Sequence, residues 1–109
     1  MKIEDVNFCI TDWSKVKPQE YPGKSGISFW RTFEKGNIRV RVVDYSPGFL
    51  ADHWCSRGHV AFVLEGELLI ELNDDRIFKL LPGMSFQVAD NNESHLARTD
   101  KGAKVLIID

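Results

Sequence analysis

Residues 53–72, HWCSRGHVAFVLEGELLIEL, combine two apolar segments of strand length with two of the three histidines and one of the two cysteines in the chain. Val60–Leu64 and Leu68–Leu72 are short and apolar, and they flank the turn Glu65-Gly66-Glu67. Short apolar segments joined by a glycine-containing turn are typical of antiparallel β-strands. We therefore expect a β-structure that starts close to His59.

Side-chain alternation along the first of these strands predicts two faces, both of them apolar. If His59 points inward, Ala61 and Val63 should do so too, and the intervening residues should point outward. An outward apolar face has to be covered. We expect a second sheet, the N-terminal segment or a dimer partner over the outward residues, which are Val60, Phe62 and Leu64.

The rest of the chain beyond residue 26 repeats this pattern of short strands and turns, at intervals of about ten residues. Helical periodicity is almost absent. Short antiparallel strands must protect their edges, and a closed or double-sheet jelly roll does so. We therefore predict an all-β jelly roll over residues 27–109. Its further strands are expected at Ile27–Glu34, Ile38–Tyr45, Arg76–Leu80, Ser85–Val88, Ser94–Thr99 and Lys104–Ile108.

Residues 1–26 differ from the rest, because prolines and glycines leave little room for long regular structure. Phe8, Ile10, Trp13 and Val16 nevertheless offer apolar surface. We predict an arm that packs on the barrel or on a second subunit.

Bulk composition is that of a single soluble domain. The chain has 109 residues, of which 43% are hydrophobic and 28% charged, and its net charge is −2. Without a basic cluster we expect neither nucleic acid nor a membrane surface as partner. No apolar run is long enough for a membrane span or a signal peptide, which predicts a cytoplasmic protein.

A reducing compartment argues against a Cys9–Cys55 disulfide, and Cys9 should be a small buried hydrophobe.

The candidate metal ligands His53, Cys55 and His59 are separated by short distances in sequence. Residues two apart on a strand share a face and lie roughly 6.6 Å apart, which would align His53 with Cys55. A hairpin loop at Ser56–Gly58 would then place Cys55 opposite His59. Two imidazoles and a thiol that converge in this way favour a metal site. The alternative is a set of polar residues that are merely hydrogen-bonded.

These residues resemble the two motifs of the cupin superfamily. His53 matches the first histidine of motif one, Cys55 stands for the second, His59 for the glutamate, and Gly66 for the final glycine. Pro82-Gly83 and His95 resemble motif two. More narrowly, the chain resembles the small bacterial cupin-fold proteins of the Asp-His-Cys-Trp motif. The resemblance implies a cupin-type β-barrel, a metal site at its mouth that includes His95, and a homodimer, but no particular reaction.

The departures from the motif bear on the metal. Cys55 replaces the second histidine of the motif, and His59 replaces its glutamate. The resulting set of thiolate and imidazole ligands suits zinc, iron, nickel or copper better than manganese or magnesium. The expected cofactor is a divalent transition metal, foremost zinc, iron or nickel, held by His53, Cys55, His59 and His95.

Other polar and aromatic residues receive structural interpretations. Alternation places Trp54 on the face opposite the ligands. Arg39 and Arg41, which alternate with valines, should form the polar side of a half-buried strand. Tyr45 and Glu93 are candidates to orient a ligand or move a proton if their strands face inward.

Two functions remain open. In the first, the protein is a metalloenzyme that acts on a small molecule, and the ion keeps an open position beside a pocket near Ala61 and Ala97. In the second, it is a non-catalytic ligand-binding module or dimer, with a structural metal or no metal. A sealed ion would favour the second.

Overall fold

The computed structural model describes all 109 residues and is built almost entirely of β-strands. The only helix is a three-residue 3-10 turn at Trp13–Lys15, so no helix is long and apolar enough to cross a membrane. The nine strands are β1 Gln19–Pro22, β2 Ile27–Lys35, β3 Ile38–Tyr45, β4 His59–Gly66, β5 Leu68–Leu72, β6 Ile77–Leu80, β7 Ser85–Val88, β8 His95–Arg98 and β9 Ala103–Ile108.

The strands form two antiparallel sheets, which confirms the predicted jelly roll. One sheet has six strands in the order β1-β2-β3-β9-β4-β7, and the other has three in the order β6-β5-β8. Each of the eight strands predicted from the sequence is present within one or two residues of its expected bounds. The strand order brings β4 beside β9 and β7, which are distant in sequence, and so places His59 next to the C-terminal strand.

The predicted alternation along β4 is confirmed. Ala61 and Val63 are 1% and 0% exposed, whereas the outward residues Val60, Phe62 and Leu64 are 39%, 38% and 40% exposed. The inward side chains of both sheets meet in one apolar core. Its buried members are Val43, Ala61, Val63, Leu68, Ile70, Leu80, Ala103, Val105 and Ile107.

The prediction for Arg39 and Arg41 is wrong, because their face of β3 is the inward one. Arg41 is only 6% exposed, and it lies on the same side of the strand as the fully buried Val43. Alternation shows that the two arginines lie opposite Val40 and Val42, but it does not show which face is inside. Here the interior accommodates the charges because Asp109, which directly follows β9, accepts hydrogen bonds from Arg39.

The predicted hairpin through Ser56–Gly58 is also wrong. Residues 56–58 are not a tight turn between two strands, and the partner of Cys55 is His95, with which it forms an isolated antiparallel bridge. The loop instead runs against the segment that follows β7. There the Gly58 N–H donates to Asp90 Oδ1 at 2.6 Å, and a Cβ on Gly58 would lie 2.5 Å from the Asp90 nitrogen.

The N-terminal segment contributes a strand to the larger sheet. This strand, Gln19–Pro22, pairs with β2 and forms one edge of the six-stranded sheet. The start of the chain is attached to the β2–β3 turn by Asn37, whose side chain accepts from the Glu4 N–H at 2.8 Å and donates to the Lys2 carbonyl at 2.7 Å. Cys9 is exposed, so its predicted burial is wrong, and both cysteines are free.

Candidate metal centre

Cys55, His59 and His95 lie together at one end of the space between the sheets. A ligand atom from each residue falls within 4.8 Å of the other two. His59 is the first residue of β4 and His95 the first of β8, so two rigid strands supply the imidazoles. Cys55 comes from the loop that precedes β4. His95 is 4% exposed, and Cys55 and His59 are partly buried beside it.

Backbone pairing fixes Cys55 beside His95. The Cys55 N–H donates to the His95 carbonyl at 2.8 Å, and the His95 N–H donates to the Cys55 carbonyl at 2.9 Å. Residues that exchange both hydrogen bonds in an antiparallel pair face each other directly, with side chains on one side. The pairing therefore holds a thiol next to an imidazole even though the surrounding loop is irregular.

The hydrogen bonds of His95 orient its second ring nitrogen towards His59. Nδ1 of His95 lies 3.3 Å from the Glu93 carbonyl oxygen, which can only accept, so this contact favours a proton on Nδ1. Nε2 then carries a lone pair, and it lies 3.0 Å from Nε2 of His59. Two nitrogens about 2.0–2.1 Å from a shared tetrahedral ion are roughly 3.3 Å apart. The pair thus has nearly the separation that a common metal ion requires.

His59 is held in its neutral form. Burial, together with the positive charges of His95 and Arg41, lowers its pKa to about 4. Its Nδ1 is buried without a hydrogen-bond partner. A neutral imidazole is the form that binds metals. An unpartnered ring nitrogen in the same site indicates that the protein alone does not satisfy this side chain.

The thiol and the second imidazole favour each other's charged forms. Interaction with the His95 side chain lowers the pKa of Cys55, although burial opposes this shift. The same interaction raises the pKa of His95. The thiolate is the form of cysteine that binds metals. One thiolate and two imidazoles fit a divalent transition metal, and they do not fit magnesium or calcium, which prefer oxygen.

His53, the remaining predicted ligand, lies outside this group. Its side chain is 77% exposed, and Nδ1 is 2.6 Å from Asp52 Oδ1. The strand parity that would align it with Cys55 does not apply, because residues 53 and 54 belong to no strand. His53 lies at the mouth of the cavity that the other three residues line.

This cavity has a volume of about 670 Å³ and runs from the three ligands into the space between the sheets. Ala61 and Ala97 line it, as do Ile70, Val105 and Ile107. Small-molecule sites typically have volumes of about 300–1,000 Å³ and largely apolar walls. Trp54 also lines the cavity, which corrects its predicted place opposite the ligands; the irregular backbone there removes the alternation on which that prediction was based.

Asp109 binds a cluster of arginines at the same end of the cavity. Its carboxylate accepts from Arg39 at 3.1 and 2.8 Å and lies 2.7 Å from Arg57 Nε. Burial works against ionisation, but the hydrogen bond from Arg39 and the charge of Arg41 keep the pKa of Asp109 below its usual value. The sequence analysis missed Asp109. The only signal in the sequence was its position two residues after Ile107. Because side chains alternate along a strand, Asp109 should point to the same inward face as Ile107.

Comparison with known proteins identifies the architecture. No protein-family model and no curated protein matches the chain by sequence. Among solved structures, an RmlC-like cupin from Shewanella frigidimarina superposes with a TM-score of 0.78 at 16% identity, covering 94% of this chain and 89% of that one. A sugar phosphate isomerase of the cupin superfamily from Silicibacter pomeroyi gives 0.70 at 18% identity, covering 92% and 74%. The ectoine synthase of P. lautus gives 0.75 at 14% identity, covering 93% and 76%.

Identities this low establish the fold and no activity. The two sheets, their order and these superpositions agree with the resemblance found in the sequence motifs. The chain has the cupin fold.

Proposed function

We propose that this protein binds a divalent transition metal through Cys55, His59 and His95 and accepts a small molecule beside it. The observation that carries the proposal is the convergence of these three ligand atoms, within 4.8 Å of one another, on a cavity of about 670 Å³. Zinc, iron and nickel are the metals that the ligand set suits best.

The cavity favours an open metal site over a sealed structural one. Structural zinc sites usually have four protein ligands, whereas catalytic sites have three and leave a position for water or substrate. Ala61 and Ala97 line the cavity together with the three ligands and leave space next to them. A bound ion would supply Lewis acidity and would acidify a coordinated water towards neutral pH. We therefore favour a small-molecule metalloenzyme over a binding module whose metal is only structural.

His53 is proposed to have a secondary part. Its exposed side chain at the cavity mouth would join the ion only if the loop around Asp52 moved inward. Its loss should therefore weaken metal binding less than the loss of any of the other three ligands.

The experiment is elemental analysis of the purified protein, with the melting temperature recorded alongside. Wild type should contain about one equivalent of metal. The substitutions Cys55→Ser, His59→Ala and His95→Ala should each lower the affinity for the metal by about ten- to a hundredfold. His53→Ala is the matched control that removes an exposed imidazole and should retain most of the metal. Metal loss with an intact fold supports the open site. Collapse on metal removal would support the structural role, and metal-free wild type would refute the proposal.

We further propose that the protein forms a homodimer through the outward face of the six-stranded sheet. Val60, Phe62 and Leu64 are each between 38% and 40% exposed on this face. Phe62 pairs with Leu106 on the adjacent strand, which continues the apolar surface. Contiguous apolar surface of this kind marks interaction sites.

A further inference from the structure

Arg41 is a buried cation whose hydrogen-bonding capacity is largely unused. It is 6% exposed, and its guanidinium carbon lies 4.5 Å from the centroid of the Trp30 ring. Its one hydrogen bond is a long contact of 3.5 Å from Nη2 to Asp109. Its Nε is buried without any partner. A buried charge left in this state is costly unless something else pairs with it.

The charges around Arg41 do not balance. The carboxylate of Asp109, only 2% exposed, is shared by Arg39, Arg41 and Arg57. Arg57 is 53% exposed and therefore hydrated. The half-buried Arg39 side chain, 19% exposed, and the buried Arg41 side chain, 7% exposed, thus share one buried carboxylate, which leaves one positive charge in excess. Of the other groups lining this end, Asp52 is exposed and faces His53, and Tyr45 stays neutral because burial raises its pKa to about 12. The charge that Cys55 gains as a thiolate is matched by its partner His95, since the two side chains favour each other's charged forms.

We propose that the cavity binds a small organic carboxylate whose negative group pairs with Arg41. This inference adds a substrate class to the proposed metal site. A single negative charge matches the one excess positive charge, and a planar carboxylate matches the edge of a guanidinium group that donates through Nε. Phosphate would bring about twice that charge into a cavity whose walls are mostly apolar.

The sheet register places this carboxylate site next to the candidate metal centre. Arg41 pairs with Ile107, which pairs with Ala61, so Arg41 and Ala61 lie in one row across three adjacent strands. Two strand spacings amount to roughly 10 Å, and the arginine side chain extends across part of that distance. Ala61 is two residues from His59 on the same face. A molecule of a few carbon atoms could therefore contact Arg41 and the metal centre together.

The test is calorimetric titration with benzoate, its neutral isostere benzamide, and inorganic phosphate. Wild type should bind benzoate at least about tenfold more tightly than benzamide, a difference of about 1.4 kcal/mol, and more tightly than phosphate. Arg41→Gln should abolish the preference. Arg31→Gln is the matched control, because Arg31 lies on the neighbouring strand β2, outside the cavity lining, and is paired with Asp44 at 3.2 Å, so its replacement removes the same charge elsewhere. Equal binding of benzoate and benzamide, tighter binding of phosphate, or an undiminished preference in Arg41→Gln would overturn the inference.

Thermal stability provides a second readout that separates a ligand-binding arginine from a structural one. Without ligand, Arg41→Met should melt at the same or a higher temperature, because it removes an uncompensated buried charge. Arg39→Met should melt lower, because Arg39 donates twice to Asp109. A loss in Arg41→Met as large as in Arg39→Met would assign Arg41 a structural role and refute the inference.

Titration of the metal-free Cys55→Ser variant distinguishes this inference from the proposed function. Preference for benzoate in that variant would support the carboxylate site independently of the metal. If metal-loaded wild type shows no preference for benzoate over benzamide, the carboxylate site is refuted and the proposed metal site is not.

Discussion

The hydroxyl of Tyr45 illustrates how the cavity alters a single ionisable group. Burial raises its pKa to about 12 from an ordinary value of 10. The folded state therefore disfavours the phenolate, so the stability linked to Tyr45 is complete below about pH 10 and is lost as the pH rises towards 12. Tyr45 thus remains a neutral hydrogen-bond donor in the cavity at any physiological pH.

This shift predicts a measurable difference in alkaline stability. Between about pH 9.5 and 11.5, the free energy of unfolding of wild type should fall by about 2 kcal/mol more than that of Tyr45→Phe. Urea unfolding of both proteins across this range measures the difference. Identical pH dependence in the two proteins would show that Tyr45 ionises as it does in the unfolded chain.

The sequence predicted the grouping of the candidate ligands Cys55, His59 and His95 better than it predicted the charged residues of the interior. Cys55, His59 and His95 were identifiable because few other roles combine a thiol with imidazoles at motif spacing. Arg41 was assigned to the surface, because alternation with valines is equally consistent with either face of a strand. The face is decided by Trp30 on the neighbouring strand β2 and by Asp109, which lies 68 residues further along the chain.

Among the structural elements, strands were predictable and the loop that carries Cys55 was not. The bounds of Ile38–Tyr45 and Ser85–Val88 agree with their predicted bounds, because alternation and turn residues are local signals. The conformation of residues 51–58 depends on distant partners. Cys55 pairs with His95, and Gly58 donates to Asp90. No pattern within the loop itself encodes these contacts.

Gly58 is the residue through which this loop can be tested. A Cβ at position 58 would lie 2.5 Å from the Asp90 nitrogen and 2.8 Å from the Ala89 carbonyl carbon, and both are backbone atoms. Gly58→Ala should therefore push the loop away, reduce stability by about 1–3 kcal/mol, and weaken metal binding because His59 follows directly. Chemical unfolding and metal titration measure the two effects.

Gly83 provides the matched control for this substitution. It has a positive φ of 90°, but a Cβ there would meet nothing within 4 Å. Gly83→Ala should cost about 1–2 kcal/mol through backbone strain alone and leave metal affinity unchanged. Equal metal affinity in the Gly58→Ala and Gly83→Ala proteins would show that the loop contact does not position the candidate site.

At the scale of the whole molecule, the two faces of the six-stranded sheet have opposite roles. The inward face supplies Arg41, His59 and Ala61 to the cavity, while the outward face presents apolar side chains that nothing in the single chain covers fully. Because every second residue of a strand serves each face, changes on one face can leave the other intact. Assembly and ligand binding should therefore be separable by mutation.

The proposed homodimer gives the sharpest test of that separation. Wild type should sediment as a dimer, and Phe62→Lys should weaken association at least about tenfold, because it places a charge in an apolar interface. Metal content should stay unchanged, since Phe62 points away from the ligands. Ile77→Lys, which alters a side chain 53% exposed on the smaller sheet, should remain dimeric. A monomeric wild type would refute the dimer, and an Ile77→Lys protein that dissociates as readily as Phe62→Lys would place the interface elsewhere.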